Sequence, residues 1–94
     1  MDKKEAYLEK AQAMIDEQVA KLNQLKAQAQ GAAADQKINL QNRIGEMEGK
    51  IGEARAKLDE MRDAAEDSWE GVKGKFDEIA DDVSGSIKRF MEKF

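Results

Sequence analysis

Asp77, Glu78, Asp81 and Asp82 are the closest this 94-residue chain comes to a chemical constellation. On a helix, Asp77 with Asp81 and Glu78 with Asp82 are like-charge pairs four residues apart, a face that could attract a divalent cation. Calcium takes about six to eight converging oxygens, and a single helix supplies few of them, so these residues read as a solvated acidic face. Acid–base catalysis would need carboxyl groups that are desolvated or enclosed, and nothing in the pattern encloses these. The chain has neither His nor Cys. That removes imidazole and thiolate ligands, disulfides, Cys or Ser–His nucleophile pairs and the commonest general base at neutral pH. The sequence therefore predicts a non-enzymatic protein with no cofactor, no bound metal and no small-molecule substrate.

What remains is recognition by surface. Trp69, Val72, Phe76, Ile79, Val83, Ile87, Phe90 and Phe94 recur at steps of three and four, collecting the single Trp and all three Phe on one helical stripe. Leucine fills an ordinary coiled-coil seam; here the positions are aromatic or β-branched, and Lys73, Lys75, Lys88 and Lys93 flank them. Such a face has to be buried against another helix, another copy of the chain or a lipid surface. Met14, Met47, Met61 and Met91 read as seam filler.

Composition says what can carry that stripe. Pro and Thr are absent, hydrophobic residues make up 40%, charged residues 38% and aromatics 5%. This is lean for a globule and well suited to long helices. Asp2-x-x-Glu5 has capping-box spacing ahead of a helix over about residues 3–30. Its apolar positions are Leu8, Ala11, Ile15, Val19, Leu22, Leu25 and Ala29, interspersed with Gln12, Gln18, Gln24 and Gln28. At residues 31–35, Gly31 could follow the last turn and Asp35 could cap a new helix, which predicts a hairpin turn. Against it, Leu25, Gln36, Met47, Leu58 and Trp69 are eleven residues apart, a repeat that keeps one face in line along a nearly straight rod.

From Leu40 onward Ile44, Met47, Ile51, Ala54, Leu58 and Met61 form a heptad seam, with Glu46–Lys50 and Glu53–Lys57 as candidate i, i+4 pairs. Gly45, Gly49 and Gly52 interrupt it, consistent either with drift on a solvent face or with close approach of a second helix. Asp67-Ser68-Trp69-Glu70 repeats the capping spacing, and a stutter falls between Met61 and Trp69. With no Gly or Pro between Lys57 and Ser68, a long helix over about 36–93, kinked near 66–68, is expected. These elements predict an all-α chain, one domain over 1–94, of long amphipathic helices forming an antiparallel coiled-coil hairpin or a rod, and oligomeric.

The run Ala64-Ala65-Glu66-Asp67-Ser68-Trp69-Glu70-Gly71-Val72-Lys73, followed by apolar steps to Lys88-Arg89-Phe90, resembles the C-terminal half of small bacterial coiled-coil stress-response proteins. Those proteins carry an Ala-Trp-Glu-x-Leu-Lys core and end near Arg-Phe. Members often have a second Trp eleven residues after the first, where this chain has Ala80. The resemblance implies a cytoplasmic, non-enzymatic helical protein associated with stress.

The net charge of −4 is evenly spread along the sequence, with five basic and six acidic groups in residues 1–35, six and seven in 36–66, and five and seven in 67–94. No basic block suits nucleic acid. The chain shows neither a signal sequence nor a membrane span, so a cytoplasmic location is expected. The leading expectation is a homo-oligomer assembling through the aromatic stripe and the heptad positions Ile44, Met47, Ile51, Leu58 and Met61. The alternative is reversible binding of residues 68–94 to a lipid or other hydrophobic surface, which would place the protein peripherally at a membrane.

Overall fold

The computed structural model describes residues 2–93 and is all-helical: α1 (Lys3–Gln30), α2 (Ala34–Asp63) and α3 (Trp69–Glu92). The three helices pack side by side into a body 50 × 19 × 17 Å. Lys4 of α1 reaches the end of α2, while Lys26 pairs with Glu48 at 3.0 Å, so the start of α1 lies beside the last turn of α2. Gln18 touches Ala80 and Ser84, and Lys50 pairs with Asp82, which sets α3 in the groove between the other two.

Local chemistry explains the start of α1. The Asp2 side chain accepts from Glu5 N at 2.8 Å, filling one of the donors that a helix N-terminus leaves open. The first turn-around differs in detail from the sequence expectation. Gly31 has φ −87° and ψ −2°, so it uses none of the left-handed freedom that favours glycine after a helix. The N-cap of α2 is Ala33, with no side-chain bond, and Asp35 sits inside the first turn, where its charge complements the helix dipole.

The larger correction concerns the long helix expected over 36–93. The chain leaves α2 at Asp63, runs through Ala64 in extended conformation (φ −71°, ψ 149°) and starts α3 at Trp69. No helix breaker stands there, and Ser68 makes no side-chain cap. Tertiary contact decides instead: Lys4 Nζ donates to the carbonyls of Arg62 at 3.0 Å and Ala64 at 2.6 Å, capping the end of α2 from another helix. Folding back also buries Trp69, Phe76, Ala80, Val83, Ile87 and Phe90, which a rod would leave in water. Full burial of a large apolar side chain is worth about 1.5–3 kcal/mol, more than the ~0.7 kcal/mol per residue that helix propensity typically spans.

Surface pairs also differ from expectation. Lys50 crosses to Asp82 on α3 rather than joining Glu46, and Lys57 pairs with Glu60 at 3.1 Å rather than with Glu53. A Cβ added at Gly45, Gly49 or Gly52 meets nothing within 4 Å, so no helix approaches closely at these positions. Each should therefore accept Ala with a gain of up to about 1 kcal/mol. Urea unfolding of the Gly45→Ala, Gly49→Ala, Gly52→Ala triple variant is expected to show a raised midpoint with unchanged slope; a lowered midpoint would mean a neighbour packs there after all.

Candidate functional site

The aromatic stripe of α3 is the natural place to look for a working surface, and the structure puts it inside. Phe76 and Val83 are 0% exposed, Ile87 2%, Phe90 3% and Trp69 5%; Val72 and Ile79 are half-buried at the edges. Phe94 lies outside the described residues. The heptad positions Ile44, Met47, Ile51, Leu58 and Met61 are buried against the same core, together with Ile15, Leu22 and Leu25 of α1. Those of the interface residues that the structure describes are thus gathered in or against one apolar core, covered by the chain's own helices. Ile38 at 62% and Met91 at 42% are the large hydrophobics left exposed among the described residues, so Met91 is not seam filler.

Two α1 residues tie this core to α3. The Tyr7 ring tilts against Trp69 with centroids 6.0 Å apart and meets Phe76 edge-on at 6.3 Å, while Lys73 Nζ lies 4.9 Å from the ring centroid. Edge-to-face rings and a cation over the face are both favourable to the ring quadrupole. The Tyr7 hydroxyl donates to Asp77 Oδ1. Burial, reinforced by that carboxylate and by Asp81, pushes the phenol well above its usual pKa.

Gln18 is the second tie. It is 3% exposed, and its Nε2 donates to Ala80 O at 3.0 Å and Ser84 Oγ at 2.9 Å. Only a donor can face a carbonyl, so the amide orientation is settled, and Oε1 is left buried with no hydrogen-bond partner among the described residues. An orphaned buried acceptor costs about 1–3 kcal/mol. A polar residue in an apolar seam fixes the register of the helices it joins, here α1 against α3.

The acidic face holds no metal-like cluster: among the described residues no group of three or more His, Cys, Asp or Glu could hold an ion. Asp77 accepts from Tyr7, and Asp82 takes a bond from Lys50 that, with the charge of Lys50, lowers its pKa. Nor is any helix among the described residues long and apolar enough to cross a membrane. A scan of family models, a search of curated proteins and a search of solved structures each return no match to this chain.

The Tyr7 contact carries a pH signature. The folded chain keeps the phenol protonated beyond the pH where a free tyrosine ionises, about 10. Tyr7's contribution is therefore intact below that pH and falls away as pH rises above it, because the unfolded chain then loses the proton more readily. Thermal melts from about pH 9 to 11 should show a steeper alkaline loss for the parent than for Tyr7→Phe. Equal slopes would mean that the hydroxyl titrates as it does in the unfolded chain.

Proposed function

We propose that the chain is a non-enzymatic assembly module: an antiparallel three-helix coiled-coil bundle that associates with copies of itself by exchanging α1 across the turn at residues 31–33. The observation that carries this reading is the burial of the α3 face. Because α1 and α2 already cover Trp69, Phe76, Val83 and Ile87, association through that face requires one covering helix to leave and its equivalent from another copy to take the place.

The turn suits such an exchange. Gly31 is already close to helical angles, and Ala33 at φ −61° and ψ 153° departs from a helix in ψ alone. Ala32, Ala33 and Ala34 favour helix, so straightening the turn joins α1 and α2 into one helix over residues 3–63, about 90 Å long. The eleven-residue spacing of Leu25, Gln36 and Met47 keeps one face in line through that join. Hairpin and rod are then two states of one sequence, the first closed on itself and the second shared between copies. The likeness of residues 64–73 to bacterial stress-response coiled coils supports a cytoplasmic, stress-associated setting for this assembly.

Ala33→Pro separates the two states. Its φ already fits proline and its N–H makes no hydrogen bond among the described residues, whereas proline inside a continuous helix costs about 3 kcal/mol or more. Sedimentation from micromolar to millimolar concentration should show a concentration-dependent dimer for the parent and a monomer for Ala33→Pro, with helicity retained. A parent that stays monomeric throughout, or a proline variant that dimerises equally well, would overturn the reading.

A further inference from the structure

Charge that is even along the sequence is uneven in the fold. The end of the bundle built from residues 27–43 and 86–93 carries five basic groups, Lys37, Arg43, Lys88, Arg89 and Lys93, against two acidic ones, Asp35 and Glu92. The rest of the chain carries eleven basic against eighteen acidic. Arg43, Lys88 and Lys93 make no ion pair among the described residues. A second observation falls at the same end: among the described residues the exposed large hydrophobics are Ile38, in the second turn of α2, and Met91, in the last turn of α3, which lines a groove together with Lys88. Between these two helices lies a groove of about 510 Å³ whose walls include Arg43 and Lys93.

We propose that this end of the closed bundle docks onto an anionic lipid surface. Unpaired cations and exposed apolar side chains at one end are the two elements that hold a peripheral protein at a headgroup layer: the cations meet lipid phosphates and carboxylates, and Ile38 and Met91 enter the acyl boundary. Nucleic acid would use the cations but leave those two side chains without a role. The overall charge of −4 does not oppose this, because the body is 50 Å long and fields are screened over about 10 Å at ordinary ionic strength. The membrane therefore senses the basic end, and the acidic remainder orients the bundle away from it. Docking needs no helix exchange, so it is independent of assembly.

Co-sedimentation with vesicles of phosphatidylcholine, with and without phosphatidylserine, tests it. Binding should require phosphatidylserine and weaken with added salt. The Arg43→Gln, Lys93→Gln variant should bind about 25-fold more weakly, since each basic group near such a surface contributes roughly fivefold. Ile38→Ser with Met91→Ser should lose several-fold, while Lys3→Gln with Lys10→Gln at the opposite end should match the parent. All of these positions are exposed, and the salt dependence of the parent provides a readout free of any folding effect. No binding at low salt, equal loss from the Lys3 and Lys10 pair, or no loss from the Ile38 and Met91 pair would each overturn the proposal. The last outcome, with equal retention on single-stranded DNA, would indicate a general polyanion site.

Discussion

The structure depends on one constraint: the aromatic face of α3 has to be covered. Trp69, Phe76, Val83, Ile87 and Phe90 bring far more apolar area than the Ala, Gln and Gly positions that thin the other two helices. Neither α1 nor α2 could cover that face alone, since each presents a narrow stripe, and both are needed to close it. The break at 64–68 follows from this demand, because only a chain that reverses there can lay α3 against its own earlier helices. The energetic logic is that of most amphipathic helices, in which packing rather than propensity supplies the stability.

Polar contacts then choose one arrangement among the many that apolar burial would tolerate. Gln18 sets the height of α1 against Ala80 and Ser84, Tyr7 joins Asp77 and the ring of Trp69, and Lys4 closes the end of α2. Each of these spans more than 55 residues of sequence, so none can form until the helix that carries its partner has packed against α1. Surface pairs such as Lys21–Glu17 and Arg62–Asp59 are local and exposed and add little. The register of the bundle rests on a few buried or half-buried polar groups in its thinnest seam.

The helical class and the seam of α2 were legible in the sequence, because six apolar residues from Ile44 to Met61 keep strict heptad spacing. The seams of α1 and α3 were legible only in part, for a common reason. Ranking by hydrophobicity selects Val19 and Ile79, whereas the structure buries their neighbours Gln18 and Ala80. With Ala80 in the row, Phe76, Ala80, Val83, Ile87 and Phe90 alternate steps of four and three. Spacing carried that information, and residue type concealed it. Tyr7 stands four residues before Ala11 and continues the α1 row, a signal masked by the more apolar Leu8 beside it. The stutter after Met61 and the capping spacing at residues 67–70 signalled a kink at this place but not a reversal, whose cause lies in Lys4 and in the face of a helix not yet formed. The polarity of charge between the two ends was invisible for the same reason: it exists only once residues 27–43 and 86–93 share one end.

The central claim is that a single chain covers its own α3 face by folding back at residues 31–33. A distance measured within one chain tests it most directly, using spin labels at the exposed positions Lys10 and Glu60, with labelled protein diluted into an excess of unlabelled protein and studied at low concentration. The closed bundle predicts a separation on the order of 10–20 Å, the width of neighbouring helices plus label arms. A single population near 75 Å, the length of fifty helical residues at about 1.5 Å each, would mean a continuous rod and contradict it.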